Sequence, residues 1–455
     1  MIILSAALAL SALILPTLAA TSWIVPGAVW LDTSGNKIDA HGGMIIKPGS
    51  VWYWIGYSVN DGITPVIYSS EDLLNWDNRG IANSIKQMWR PKLIIAGGRF
   101  NIFGQVNRLT QGMTATAITG PYTLYGSGMS IPPDALTYSD CGPFVDTDGQ
   151  IYWITSADHN TLSINHVTNT SNPTLSTRVA SLALGAFEGP ALFKVGSIYF
   201  LIVSSKTGWR PNPDKVFWAT SLAGPWSGGT DVAPEGNNTY NSQSTYVAPV
   251  IGSSQTTYIF MGDAWDSTGS AASNYMWAPL SVSTSAHTAT IQYFPFWKVN
   301  PTTGVVTTSS TGKRYEAEDA EMAGRAGKSN LSLGIVTDCS SCVSKRAVHR
   351  VDDGSTVTFA GVEGLGNGER QWVALHYTVN NATGGDAYVY VNDEKMNVRD
   401  LNVRAGLHHV VPISVVLQKS NNITFAVHTS DPHFEAHLDG IEVLDGTEEE
   451  IEVKL

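Results

Sequence analysis

Short apolar runs bounded by clusters of Gly, Asn, Asp and Ser dominate the chain, and helical spacing of the i, i+3, i+4 kind is almost absent. Runs rich in β-branched and aromatic residues, closed off by turn formers, predict strands. Three similar phrases punctuate the first part: "SSEDLLNW" ends at Trp76, "ATAITGPY" at Tyr122 and "ATSLAGPW" at Trp226. The spacings are 122 − 76 = 46 and 226 − 122 = 104, the second about two units of 52. A period of about fifty residues made of short strands predicts propeller blades. Residues 21–300 have room for five or six, and five is the expectation. A β-sandwich with repeated turn chemistry is the alternative.

The pattern breaks at "NPTTGVVTTSSTGKR", Asn300 to Arg314, where Thr, Ser and Gly dominate. This predicts a linker over 301–313. A second unit, 314–446, opens with "YEAEDAEM" and alternates in "STVTFAGV", "QWVALHYTV", "AYVYVN", "HHVVPISVVL" and "NITFAVH". Alternation over several short strands predicts a β-sandwich of the jelly-roll kind. The acidic tail, 447–455, is expected to be frayed. The expected fold class is all-β: a five-bladed β-propeller followed by a β-sandwich module.

Charge narrows the partners. The net charge is −12, with no basic stripe, which excludes nucleic acid and anionic membrane as partners. Abundant Trp, Tyr and Gly with few charges suit a neutral polysaccharide or oligosaccharide, and a monomer is expected. The apolar start "MIILSAALALSALILPTLAATSW" reads as a secretory signal peptide over 1–20, cut near Ala19 or Ala20. It has no Lys or Arg ahead of the apolar run, and a membrane anchor is the alternative. An extracellular protein is the expectation, and no later segment is long and apolar enough to span a bilayer. "DCSSC" places Cys339 and Cys342 for a local disulfide, leaving Cys141 as a buried thiol. N-x-S/T sequons at Asn169, Asn237, Asn330, Asn381 and Asn422 agree with secretion.

Cleavage of a sugar chain needs an acid to protonate the leaving oxygen; an inverting enzyme also needs a base across the ring. In a propeller these groups come from different blades. Glu188, in "GAFEGPALFK", has Phe187, Pro190, Ala191, Leu192 and Phe193 to desolvate it, which raises a carboxyl pKa toward neutrality. Asp140, in "YSDCGPFVDTDG", repeats the form acid, spacer, Pro, apolar, and its charge would raise the acid's pKa further. The alternative is that each carboxylate caps a turn.

"RPK" at Arg90–Lys92, "SDCGPF", "FEGPALFK", "TGWRPNPDK", "SLAGPW" and "GDAW" together resemble glycoside hydrolase family 43, most closely its fungal exo-β-1,3-galactanase subgroup. The second unit resembles a family 35 carbohydrate-binding module, through "YEAED" and "HLDGIEVL". The resemblance implies an inverting exo-acting hydrolase of galactose-containing polysaccharide. By motif it makes Glu188 the general acid and Asp140 the carboxylate that orients and tunes it. The family's usual basic Asp is missing from "KIDAHGGMII", where Asp39 is out of step. In the subgroup an amide has been considered as the base, and "YNSQSTYV" supplies Gln243. A neutral amide is a poor base, so Gln243 would position water, with Asp39 the competing candidate.

The subgroup's sugar-binding carboxylates are matched by Trp89, in "MWRPK", and Tyr57, in "YWIGY". That swaps hydrogen bonds for an aromatic surface and alters discrimination. It leaves a second reading open, a carbohydrate-binding pseudoenzyme. Trp209 and Trp265 are candidate stacking platforms, and Asp263 a candidate hydroxyl acceptor. In the module, Glu316, Glu318 and Asp439 match a structural Ca2+ site, hard oxygen ligands on strands. His433 and Phe434 lie in a plausible loop but are not assigned.

Overall fold

The computed structural model describes residues 23–451 apart from 134–137, 158–159, 211, 235–237, 267, 272, 310–311, 325–333, 337–338, 340–341, 343, 352–353, 369, 380–387, 397–407, 428–435 and 445–447. The expected signal peptide, Asn237, Asn330, Asn381, His433 and Phe434 lie outside the described residues.

Among the described residues the first part forms five four-stranded antiparallel sheets. Their opening strands are His41–Ile46, Trp89–Ala96, Tyr138–Val145, Phe187–Val195 and Gln243–Ile251. In the first, second and fourth sheets, the repeated phrase places Trp76, Tyr122 and Trp226 just ahead of the fourth strand. The alternating apolar faces give one buried cluster for each successive pair of sheets. A further cluster joins Ile45, Trp54 and Val66 of the first sheet to Val250, Ile259 and Trp277 of the fifth. The opening strands also touch in series, and the fifth touches the first. The arrangement is all-β and propeller-like, with a sandwich beyond it.

Each opening strand loses register near its N-terminal end. The shifts fall at His41/Met44, Trp89/Lys92, Tyr138/Cys141, Glu188/Ala191 and Ser244/Tyr246. A bulge bends its strand and re-aims a side chain. Gly189, with φ 59°, makes the turn after Glu188, and a Cβ there would meet the Ser244 carbonyl at 2.7 Å. Arg90 takes the left-handed region at φ 51° without being glycine, a strain of about 1–3 kcal/mol that must be held by its surroundings.

The later part packs two larger sheets around one core that includes Val357, Phe359, Tyr377, Phe425 and Leu438. Trp23, Val25, Phe296, Ala374 and Leu444 seal it against the first part. The 301–313 segment and the tail differ from expectation. Val306–Ser309 is a strand that pairs with Trp297–Val299 on one side and Glu448–Ile451 on the other. Its β-branched Val and Thr residues favour extended backbone, so a stretch that composition marked as loose is a seam. Cys339 and Cys342 are disulfide-bonded, and Cys141 is a buried free thiol. Asn169 and Asn422 are exposed. Among the described residues no helix is long and apolar enough to cross a membrane.

Candidate active site

Four of the five bulges, those of the second to fifth sheets, bring Arg90, Asp140, Glu188 and Gln243 into one hydrogen-bonded set. Glu188 is half-buried. Burial, and then the negative charge of Asp140, push its carboxyl up to about 7, against the pull of Arg90, Lys206 and a hydrogen bond from Gln243. A carboxyl that holds its proton near neutral pH is suited to general acid work. Gln243 Nε2 donates to Glu188 Oε1 at 2.9 Å. Asp140 Oδ2 accepts from the Gly189 N–H at 3.0 Å, which fixes the backbone next to the acid.

Arg90 joins these parts. Its guanidinium pairs with Asp140 Oδ2 at 2.9 Å, donates to the Ser244 carbonyl at 3.0 Å and donates to Gln243 Oε1. Burial works against its charge, but the carboxylates of Asp140 and Asp263 outweigh burial and hold it firmly protonated. Trp265 Nε1 also donates to Gln243 Oε1, at 3.0 Å. The Gln243 carbonyl therefore faces two N–H donors, and its NH2 group faces the acid. That assigns the ordinary amide: an imidic O–H would point its proton at two other donors.

Behind this set Lys92 is fully buried and donates to the Gly42 carbonyl and to Thr245 Oγ1. Burial, then the Arg90 charge, lower its ammonium to about 7. Lys206 donates to Ser156 Oγ at 2.8 Å, and Ser156 in turn donates to the Phe187 carbonyl at 2.6 Å.

Several residues expected at the site have other work. Asp39 Oδ1 accepts from Val59 N–H, and its Oδ2 accepts from Ser58 Oγ and Asn60 N–H. Three donors occupy both carboxylate oxygens, so Asp39 holds the 58–60 turn. Asp263 is 1% exposed. Its Oδ2 accepts from Gly42 N–H at 3.0 Å and its Oδ1 lies 3.1 Å from His41 Nδ1, so it holds the first sheet's bulge rather than a sugar hydroxyl. Tyr57 and Trp265 are 1% and 2% exposed and stack on each other at 6.4 Å. They pack behind the surface and present no ring face. Trp89 and Trp209, half-buried with centroids 6.0 Å apart, form the outer part of this aromatic cluster. Composition identifies an aromatic wall but not which rings reach its surface.

In the module, Arg314 pairs with Glu316 Oε1 at 2.7 Å and with Asp439 Oδ2 at 2.8 Å. Among the described residues no three His, Cys, Asp or Glu side chains are arranged to hold a metal. Arg314 stands between two of the three expected ligands. Glu316 Oε2 and Glu318 Oε2 are buried without a hydrogen-bond partner, while Arg314 pairs with Glu316 Oε1 and Arg346 lies 3.9 Å from Glu318 Oε1.

A half-buried carboxyl raised by burial and by a neighbouring carboxylate, and held by side chains from neighbouring sheets, is what glycoside hydrolysis asks of its acid. The chain is similar to the exo-β-1,3-galactanase of Phanerochaete chrysosporium solved with galactose: 30% identity, TM-score 0.81, covering 93% of this chain and 100% of that one. A variant of that enzyme solved with β-1,3-galactotriose superimposes with TM-score 0.80 at 30% identity, over 92% and 99% of the two chains. The exo-β-1,3-galactanase of Clostridium thermocellum shares the fold at 23% identity and TM-score 0.58, over 87% and 100%. No protein-family model and no curated protein matches the chain. It belongs to the exo-β-1,3-galactanases of glycoside hydrolase family 43.

Proposed function

We propose that the chain removes galactose from the ends of β-1,3-galactan with inversion, on a closed five-bladed propeller. The carrying observation is Glu188, half-buried, raised to about 7 and hydrogen-bonded by Gln243. Because Gln243 donates to Oε1, the acidic proton belongs on Oε2, where it can pass to the glycosidic oxygen. Asp140 keeps that proton on at neutral pH. Inversion needs its water on the ring face opposite Glu188, so Gln243, in direct contact with Glu188, orients the acid rather than that water. Trp89 and Trp209 supply an apolar face to the sugar. The test is incubation with β-1,3-galactan: galactose should appear, and Glu188→Gln should release none.

The second part we read as a carbohydrate-binding jelly roll that holds the chain on its polysaccharide. Its Glu316 and Glu318 oxygens, with Asp439, would hold Ca2+ if Arg314 swings aside; the ion would supply charge compensation at the seam of strands. The Cys339–Cys342 disulfide supports work outside the cell, and a monomer is sufficient because the site described draws on one chain.

A further inference from the structure

The acid and the amide need a support, and the motif "TGWRPNPDK" carries it at Asp214, a residue given no role so far. Asp214 is fully buried, just ahead of strand Lys215–Ala219. Its backbone N–H donates to Thr239 Oγ1 at 2.7 Å, and that hydroxyl donates to the Asn212 carbonyl. Thr239 belongs to four consecutive left-handed residues, Asn238–Asn241, with φ 43°, 54°, 52° and 60°. Two of these are not Asn or Gly, so the turn persists only where its surroundings hold it. On the other side of Gln243, Asp214 Oδ2 accepts from the Ser244 N–H at 2.8 Å. Ser244 Oγ donates to the Gly189 carbonyl at 2.6 Å, and the Ser244 carbonyl takes Arg90. One residue thus grips the chain on both sides of Gln243 and, through Ser244, reaches the residue after Glu188.

We propose that Asp214 is a positioning residue that clamps the Gln243 segment and, through Ser244, sets Gln243 and Glu188 against each other. The clamp works with Asp214 as a neutral acid. Its Oδ1 is buried with no hydrogen-bond partner, and the hydroxyls beside it, of Ser204 and Ser244, direct their protons to Asn212 Oδ1 and the Gly189 carbonyl. A protonated Asp214 can donate from Oδ1 to either hydroxyl while Oδ2 keeps the Ser244 N–H. Burial raises its carboxyl to about 8, against the Ser244 N–H, the nearby Ser204 and Ser244 hydroxyls and the Arg90 charge.

The inference rests on the galactanase reading, and three variants of the full chain test both. Asp214→Asn keeps one acceptor and one donor and should leave kcat on β-1,3-galactan within about twofold, with an unchanged pH profile. Asp214→Ala should lower kcat up to about a hundredfold, as for a displaced catalytic group, with KM nearly unchanged. Ser244→Ala should do much the same, and the double variant should be no worse than either. Additive losses, or Asp214→Asn as inactive as Asp214→Ala, overturn the clamp. Should wild type release no galactose, the functional reading fails. A crystal structure of Asp214→Ala, or of Ser244→Ala if the first does not fold, then decides the clamp. Loss of the 2.9 Å Gln243–Glu188 contact supports it and retention overturns it.

Discussion

Gln243 Nε2 donates to Glu188 Oε1 at 2.9 Å. The amide expected to stand across the sugar from the acid is therefore the acid's own neighbour. An inverting pair separated by a water and a sugar ring needs roughly 6.5–9.5 Å between its carboxyl groups. Gln243 thus acts first as an orienting group. It fixes which oxygen of Glu188 carries the proton, while Arg90 and Trp265 fix Gln243.

Replacement of the acid is the plainest consequence. Glu188→Gln should lower kcat by about a hundredfold to ten-thousandfold, the usual worth of general acid catalysis, while sugar binding survives. Retention of more than about a tenth of the wild-type rate would remove Glu188 from the mechanism.

The pH profile carries its own sign. Glu188 acts protonated, so activity should fall as pH rises through about 7. Asp140 raises that value and Arg90 lowers it. Asp140→Asn should therefore move the alkaline limb to lower pH. Gln243→Ala, which removes a hydrogen bond to the carboxylate, should move it to higher pH. Limbs that stay fixed in both variants would assign the titration to another group.

Gln243 and Asp39 are separable by kinetics. Gln243→Ala should cost up to about a hundredfold in kcat, as for a misplaced catalytic group. Asp39→Asn should weaken the fold by loosening the 58–60 turn, yet leave kcat of the folded enzyme close to normal. A dead Asp39→Asn beside an active Gln243→Ala would restore an ordinary carboxylate base.

Parts of this were legible in the chain. Glu188 and Asp140 share a bulge-and-proline form, and that local form marks the start of an opening strand. Arg90 is different. The motif "RPK" is visible, but its partners Asp140, Gln243 and Ser244 are brought to it only by the bulges of other strands. Tyr57 and Trp265 were readable as aromatic and not as buried, because alternation tells which face of a strand a ring occupies but not what lies over it. Val306–Ser309 reads as linker by composition and folds as a strand because the tail is there to pair with it.

The aromatic surface should contribute affinity rather than chemistry. Stacking is worth about 0.5–1.5 kcal/mol beyond buried area, so Trp89→Ala should weaken sugar binding several-fold to about tenfold. Trp89→Glu should shift preference toward galactosides by accepting from their hydroxyls. Unchanged galactose affinity in Trp89→Ala, by calorimetry, would make Trp89 packing alone.

Calcium should raise the melting temperature of the module and not of the first unit, since a ligand that binds only the folded form stabilises it. Arg314→Ala should enlarge the effect by freeing Glu316 and Asp439. Identical calorimetric traces with calcium and with chelator, in both proteins, would rule the ion out.

Exo-hydrolysis of β-1,3-galactan with inversion, driven by Glu188, fixes both the first product and its anomeric form. The most direct measurement follows β-1,3-galactan by proton NMR from the first moments of the reaction. Free galactose should be the first product, appearing as the α anomer before mutarotation, with none from Glu188→Gln. Absence of galactose, release of internal fragments, or initial appearance of the β anomer would contradict exo-hydrolysis with inversion.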